Sequence, residues 1–156
     1  MNIFVLDNDL LVCAQSLCDK HVPKMILETA QLLSTAAHQL NFLTEEELYK
    51  PTHKNHPCSK WLLESPGNRA WLWHYGQALS DEYTFRFGKN HKSRTIINRL
   101  FLFSLSEEPT TPHPLCMPDQ YKQSSVVESY RAYYRGDKKY FAKWERGRPP
   151  PGWWSN

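Results

Sequence analysis

The feature that most constrains the fold is a set of apolar side chains that recur every three or four residues between His21 and about Leu40. They are Val22, Met25, Ile26, Leu32, Leu33 and Ala36. This spacing is typical of the buried face of an α-helix. Proline is tolerated only in the first turn of a helix, so Pro23 predicts that the helix begins near Asp19 or Lys20. Asp19 is expected to cap this helix or to lie beside it.

Other segments also show a helical pattern, and they predict an all-α, compact single-domain fold with three or four main helices and long Pro-rich loops. These segments are residues 9–19, 59–64, 68–87, 92–105 and 124–144. Gly88 lies where a helix usually ends, and Gly136 is a candidate break in the last helix. Loops are predicted at 41–57, with a helical turn at 44–48, at the turn 65–68, and at 108–119. One domain is expected over residues 1–156, with an extended Pro/Trp tail over 145–156.

The composition indicates a folded chain without a membrane span. It is 40% hydrophobic and 13% aromatic over 156 residues, which is enough for one core. No apolar run approaches the roughly 20 residues needed to cross a bilayer. The N-terminus lacks the basic region and cleavage site of a secretory signal, so a cytoplasmic location and four reduced cysteines are expected. The net charge of +3 permits nucleic-acid binding without requiring it.

Two histidines and a cysteine lie within six residues, at His53, His56 and Cys58, and raise the question of a zinc site. Cys116 could supply a fourth ligand. Structural zinc sites usually show two short paired motifs, whereas this chain has one cluster with Pro57 inside it. We therefore predict no metal, and a loop whose histidines bind backbone or phosphate groups.

A polar stripe runs along the first long helix at steps of three or four residues. Its members are His21, Lys24, Glu28, Gln31 and Thr35. One interpretation is a solvated face on which Lys24 and Glu28 form an exposed ion pair. The other is that Glu28 faces a cleft, where a carboxylate can stabilise a cation or move a proton. The stripe alone does not decide between them.

Basic residues form two groups, one around the end of the 68–87 helix and one interleaved with aromatic residues near the C-terminus. The first comprises Arg86, Lys89, His91, Lys92 and Arg94, and the second includes Arg131, Arg135, Lys138, Lys139, Lys143, Arg146 and Arg148. Basic groups can bind phosphates and aromatic faces can stack on bases. The alternative is a solvated surface over core aromatics. Because no acidic residue lies between Arg86 and Arg99, we favour a nucleic-acid surface.

Several short motifs, in this order along the chain, resemble those of the pyrimidine-dimer DNA glycosylases of the phage endonuclease V type. They are Asp19-Lys-His21 followed by Glu28, Asn55-His-Pro57, the helix from Asn68 to Gly88, its ending Phe87-Gly-Lys-Asn-His-Lys-Ser93, and Tyr133-Tyr134 with the basic residues that follow. The resemblance implies a compact helical enzyme that grips duplex DNA and flips a nucleotide out.

The same resemblance implies a covalent mechanism. The N-terminal α-amine attacks the sugar C1′, the base leaves, and the resulting Schiff base permits strand cleavage by β-elimination, with a helix carboxylate assisting. We therefore expect a DNA N-glycosylase that removes a damaged or modified base, as in DNA repair, with AP-lyase activity left open. No metal or cofactor is needed. The expected partner is duplex DNA, and the protein is expected to be a monomer in the cytoplasm, or in the host cytoplasm if phage-encoded.

Residue roles carry over from the resemblance position by position. The expected catalytic residues are Met1, Asn2, Glu28 and His21. The expected nucleic-acid-binding residues are Lys20, Lys24, His53, Asn55, His56, Arg86, Lys89, His91, Lys92, Arg94, Arg131 and Lys138. Asn55-His-Pro57 is expected beside the active cleft, and Cys58 is expected to be a small packed residue at the start of a helix.

The chain departs from the phage enzymes at two places. Those enzymes expose a threonine after methionine removal, whereas Met1 is followed here by Asn2, which normally leaves methionine in place. The nucleophile would then be the Met1 amine. The phage enzymes also carry arginines next to the catalytic glutamate, where this chain has Leu27 and Gln31. Lysines would have to hold the phosphates instead.

Two other functions remain open from the sequence. A non-catalytic nucleic-acid or nucleotide-binding protein on the same scaffold would keep its binding after Glu28→Gln. A zinc-stabilised interaction module would contain stoichiometric metal.

Overall fold

The computed structural model describes residues 1–42 and 47–155. Within these ranges the chain forms six α-helices and two short 3-10 helices, with no β-strand. The α-helices are α1 (Leu10–Ser16), α2 (His21–Gln39), α3 (Pro57–Glu64), α4 (Pro66–Phe87), α5 (Ser93–Arg99) and α6 (Val126–Asp137). The 3-10 helices are Leu102–Ser104 and Asp119–Tyr121. The all-α prediction is confirmed.

The start of α2 agrees with the position predicted from Pro23. Lys20 is the N-cap residue and makes no side-chain capping bond, while Asp19 lies beside the helix. The predicted turn at 65–68 is instead the start of α4, because the Ser65 side chain accepts a hydrogen bond from the Gly67 N–H and Pro66 occupies the first turn. Gly88 ends α4 in the left-handed conformation, with φ of 68°.

Three of the predicted helices are shorter than expected. The segment 9–19 is helical only over Leu10–Ser16, where the Asp9 side chain caps the first turn. The segment 92–105 divides into α5 and the 3-10 helix Leu102–Ser104. The last helix stops at Asp137, directly after Gly136, as the glycine suggested. The predicted helical turn at 44–48 falls largely on residues 43–46, which lie outside the described part of the chain.

Helix α4 lies at the centre of the helical packing and contacts α1, α2, α3 and α5. A glycine allows its closest approach to α2. A Cβ atom at Gly76 would lie 3.0 Å from Cγ2 of Thr29 and 3.2 Å from Cδ1 of Ile97. A side chain at this position would therefore require Thr29 and Ile97 to move by a few tenths of an ångström.

The N-terminal segment, residues 3–6, lies in this core in an extended conformation. It pairs with no β-strand among the described residues. Residues 3–6 are buried, and buried peptide groups must find hydrogen-bond partners. Side chains supply them here. The Cys13 Sγ accepts from the Leu6 N–H at 3.2 Å, and the Tyr75 hydroxyl donates to the Phe4 carbonyl at 3.2 Å. The Arg131 Nε donates to the Leu6 carbonyl at 2.9 Å.

A buried ion-pair network fixes the end of α4. The Arg86 side chain is 0% exposed, and its guanidinium pairs with Glu82 at 2.7 Å and with Asp19 at 3.0 Å. It also donates to the carbonyls of Leu17 and Gln15, both at 2.8 Å. This placement corrects the expectation that Arg86 contacts DNA, because the whole guanidinium is enclosed and occupied.

The C-terminal tail is held by the same network. Arg148 donates from Nε to Glu82 Oε1 at 3.0 Å and from Nη2 to Glu82 Oε2 at 3.1 Å. Beyond the three prolines the tail is not extended as predicted, because residues 152–155 form a turn and the Trp154 N–H donates to the Pro151 carbonyl at 2.9 Å. The Trp154 ring then packs on Trp144, with centroids 4.7 Å apart.

The substitution Glu82→Gln should lower the free energy of unfolding by about 3 kcal/mol, because it leaves two guanidinium groups without their shared buried carboxylate. Asp81→Asn is the matched control, since the neighbouring Asp81 forms an exposed pair with Arg94 and should change stability by less than about 1 kcal/mol. Chemical denaturation of the two variants compares them directly. Equal effects would mean that the buried network does not stabilise the fold.

Candidate functional site

The N-terminus of the chain meets a carboxylate on α2. The Asn2 N–H donates to Glu28 Oε2 at 2.9 Å, and the Met1 α-amine lies 3.8 Å from Glu28 Oε1. The side chains of Met1 and Glu28 are only 3% and 10% exposed. Met1 as a residue is nevertheless partly exposed, so its accessible area lies chiefly in the main chain, which carries the amine. A primary amine and a carboxylate are thus held together at the surface of the core.

The polar stripe on α2 is largely covered by other parts of the chain. Glu28 is covered by the N-terminus, and the Thr35 hydroxyl exchanges hydrogen bonds with the backbone of Thr52, at 3.1 Å and 3.2 Å. Lys24 remains exposed and places its Nζ 3.9 Å from Glu28 Oε1. The interpretation of the stripe as a solvated face therefore fails at Glu28 and Thr35.

Asn2 is locked in place by the C-terminal half of the chain. Its Nδ2 donates to the Cys116 carbonyl at 2.9 Å, and its Oδ1 accepts from the Tyr130 hydroxyl at 2.9 Å. The same Oδ1 accepts from the Ile3 N–H at 2.8 Å. The sequence did not point to Tyr130 or Cys116 as supports of the N-terminus, because the partners lie more than one hundred residues apart and share no motif.

The Asn55-His-Pro57 motif brings one histidine to the N-terminus. His56 caps α3, since its Nδ1 accepts from the Cys58 N–H at 3.1 Å. Burial lowers the pKa of His56, and the charge of the Met1 amine lowers it further, which places the imidazole close to that amine. His53 and Asn55 are exposed instead. Cys58 is fully buried at the start of α3, as expected.

His21 is enclosed by aromatic rings. It stacks on Phe4 with centroids 4.7 Å apart, and its Nδ1 lies 2.6 Å from the Tyr134 hydroxyl. Burial lowers the pKa of His21 to about 3, and the charges of Lys138, Lys24 and Lys20 act in the same direction. The imidazole is therefore neutral near pH 7 and holds the N-terminal segment through Phe4.

Three of the lysines expected to bind nucleic acid converge at the start of α2. Lys20, Lys24 and Lys138 all lie close enough to His21 for their charges to act on it. Lys20 also lies 4.8 Å above the Phe141 ring, at the edge of a cavity of about 400 Å³. That cavity is lined by Asp19, Lys20, Phe141, Lys143, Glu145 and Arg146. The amine–carboxylate pair thus lies beside a cationic surface at the start of the same helix.

The other basic residues predicted to contact DNA differ in their exposure and in their ion-pair partners. Lys89 and Lys92 are exposed and His91 is half-buried. Arg94 pairs with Asp81 at 2.8 Å. Arg131 forms an ion pair with Asp7 at 2.9 Å and also donates a hydrogen bond to the Leu6 carbonyl. Arg131 therefore supports the N-terminal segment. In the described part of the chain no hydrogen bond or ion pair joins residues 89–94 to the Glu28 side chain.

The fold and the site define a class of small helical proteins in which the N-terminus is held against a helix carboxylate beside a cationic surface. The sequence model of the pyrimidine dimer DNA glycosylase family matches residues 1–95. The match covers more than half of the 156 residues, and the chain belongs to this family of DNA-acting enzymes. No curated protein sequence matches the chain. No solved structure matches it either.

Among the described residues, no helix has the length and apolar character required to cross a bilayer.

The buried neutral His21 predicts a loss of stability in acid. Its pKa is about 3 in the folded protein and about 6.5 in the unfolded chain. Between these values the unfolded chain takes up a proton that the folded protein does not, so the free energy of unfolding falls as the pH falls. From pH 6.5 to pH 4 the loss attributable to His21 should be about 3 kcal/mol.

The pH dependence of unfolding in His21→Gln tests this assignment. The difference between the free energies of unfolding of wild type and variant should become smaller as the pH falls. Only the wild type loses the stability that the neutral His21 side chain provides. His113, whose pKa burial lowers to about 4, is present in both proteins and cancels in the comparison. Parallel profiles would show that His21 is not the group responsible.

Proposed function

We propose that the protein removes a damaged or modified base from duplex DNA, with the Met1 α-amine as nucleophile and Glu28 as the assisting carboxylate. The observation that carries the proposal is the contact of one carboxylate with both the first amine and the second peptide N–H. A carboxylate that binds both groups fixes the direction of the chain as well as the position of its first nitrogen. The membership in a DNA glycosylase family supplies the class of substrate.

In the first step the amine lone pair forms a bond to C1′ of the target nucleotide. The glycosidic bond breaks, and its electron pair leaves with the base, which takes up a proton. The nitrogen then loses one proton, and the C1′–O4′ bond breaks while O4′ takes up a proton, which gives a protonated Schiff base between Met1 and C1′. Abstraction of a C2′ proton then allows the 3′ phosphate to leave by β-elimination, which is the AP-lyase step.

Glu28 has three tasks in this scheme. Its contact with Asn2 holds the amine in one place, which saves the entropy of ordering a free chain end. Its negative charge stabilises the cationic sugar that forms as the base leaves. Its second oxygen, Oε1, lies 3.8 Å from the amine and can accept the proton of the amine or of C2′. Burial strengthens the stabilisation of the cationic sugar, because the surrounding medium screens charge less than water does.

The cationic surface at the start of α2 is suited to the phosphates of the strand that carries the target nucleotide. Lys20 and Lys24 are exposed, and Lys138 lies 4.6 Å above the ring of Tyr133. The exposed Leu27 lies next to Glu28, where the phage enzymes carry arginine. We propose that the lysines hold the backbone and that Leu27 makes an apolar contact at the opening of the site.

Glu28→Gln should lower turnover on a duplex with a damaged or abasic nucleotide by about 10²- to 10⁴-fold, the usual range for loss of an acid–base group. The amide keeps the size of the side chain and can still accept the Asn2 N–H. Single-turnover base release and borohydride trapping measure the effect. Glu107→Gln is the charge-matched control, because Glu107 is exposed directly before the Pro-rich connection, residues 108–119. An unchanged rate in Glu28→Gln would exclude Glu28 from the chemistry.

The amine itself is tested by extending the chain. Three residues placed before Met1 convert its amine into a peptide nitrogen, so borohydride should trap no adduct even where DNA binding survives. Proteolytic removal of the extension, verified by intact mass to restore an unblocked Met1, should recover trapping. A covalent adduct formed by the extended chain would place the nucleophile elsewhere, for example on a lysine.

A further inference from the structure

Three soft or borderline ligand groups meet beside the N-terminus, although they come from distant parts of the sequence. Cys58 begins α3, His56 caps the same helix, and Cys116 lies on the connection that follows Pro114. The ligand atoms of the three residues all lie within 4.8 Å of one another. The two Sγ atoms are 3.7 Å apart and belong to residues separated by 58 positions. All four cysteines are free, so the sulfur atoms are available as thiols.

We propose that His56, Cys58 and Cys116 form a binding site for one zinc-like divalent ion. With Zn–S bonds of about 2.3 Å, two thiolates of a tetrahedral zinc site lie about 3.8 Å apart, and the observed sulfur separation matches that edge. Each thiol releases one proton to solvent as the ion binds. The fourth position of the tetrahedron is left for water or for a nitrogen or oxygen donor.

The orientation of His56 fits a ligand that binds through Nδ1. This nitrogen accepts from the Cys58 N–H and therefore carries the lone pair, and that lone pair points towards the first turn of α3. Binding replaces the hydrogen bond from Cys58 and requires the imidazole to move by up to about 1 Å, towards a nitrogen–sulfur edge of about 3.6 Å.

An ion bound here would cross-link the Pro-rich connection, which has no regular secondary structure around Cys116, to α3. Cys116 belongs to the Pro-rich connection, and its own carbonyl holds the Asn2 side chain. A metal bond from Cys116 to α3 would therefore fix the connection that positions the N-terminus. The sequence predicted no metal because His53, His56 and Cys58 form only one cluster. The structure leaves the exposed His53 outside that cluster and brings Cys116 into it.

Titration of the reduced full-length protein with Co²⁺ tests the site independently of DNA chemistry. One equivalent should produce a thiolate-to-cobalt charge-transfer band together with the visible bands of a tetrahedral ion, and Zn²⁺ should displace it. Cys58→Ser, Cys116→Ser and His56→Asn should each weaken binding by at least about 100-fold, the upper range for loss of a supporting partner. His53→Asn is the matched control and should bind as the wild type does.

Thermal unfolding provides a second readout in case Cys58→Ser does not fold, since Cys58 is fully buried. Zn²⁺ should raise the Tm of the wild type and of His53→Asn, but not that of Cys116→Ser, because a ligand that binds only the folded state stabilises it. The proposal is overturned if the wild type gives no charge-transfer band, or if the band persists in Cys116→Ser. It is also overturned if His53→Asn loses as much affinity as His56→Asn.

Discussion

The structure depends on the burial of an extended N-terminal segment that pairs with no β-strand in the described part of the chain. The apolar side chains of residues 3–6 favour burial, but their peptide groups would lose hydrogen bonds to water without replacement. Side chains from three helices replace three of these bonds: Cys13 from α1, Tyr75 from α4 and Arg131 from α6. Glu28 from α2 accepts from the neighbouring Asn2 N–H. Each helix is thereby tied to the segment, and the segment in turn fixes where the first nitrogen of the chain lies.

The N-terminal segment links residues 1–95, which match the family model, to the part of the chain that follows them. The family match ends at residue 95, yet Asn2 is held by Cys116 and Tyr130, and the Leu6 carbonyl is held by Arg131. The C-terminal part therefore completes the position of the N-terminus that the matched part supplies. The Asp19–Arg86–Glu82–Arg148 network has a similar effect, because it joins the start of α2, the end of α4 and the tail.

Some basic residues stabilise the fold and others remain exposed at the surface. The net charge of the chain does not distinguish the two groups. Arg86 and Arg131 are the basic residues most involved in holding the fold, and both are paired with carboxylates and backbone carbonyls. Lys20 and Lys24 remain exposed at the start of α2. Guanidinium groups suit the first role because they offer five donors in a fixed plane, and lysines suit the second because their charge stays hydrated.

The sequence by itself determined the helical class, the start of α2 near Lys20, the end of α4 at Gly88 and the shared helix face of His21, Lys24 and Glu28. These features follow from local rules of spacing, proline tolerance and glycine conformation. Only the tertiary structure decided that Glu28 is covered by the N-terminus, that Arg86 is buried and that Cys116 meets Cys58. The long-range contacts among them join residues 26 to 71 positions apart. No local pattern encodes them, because they arise from how the helices pack around the buried N-terminal segment.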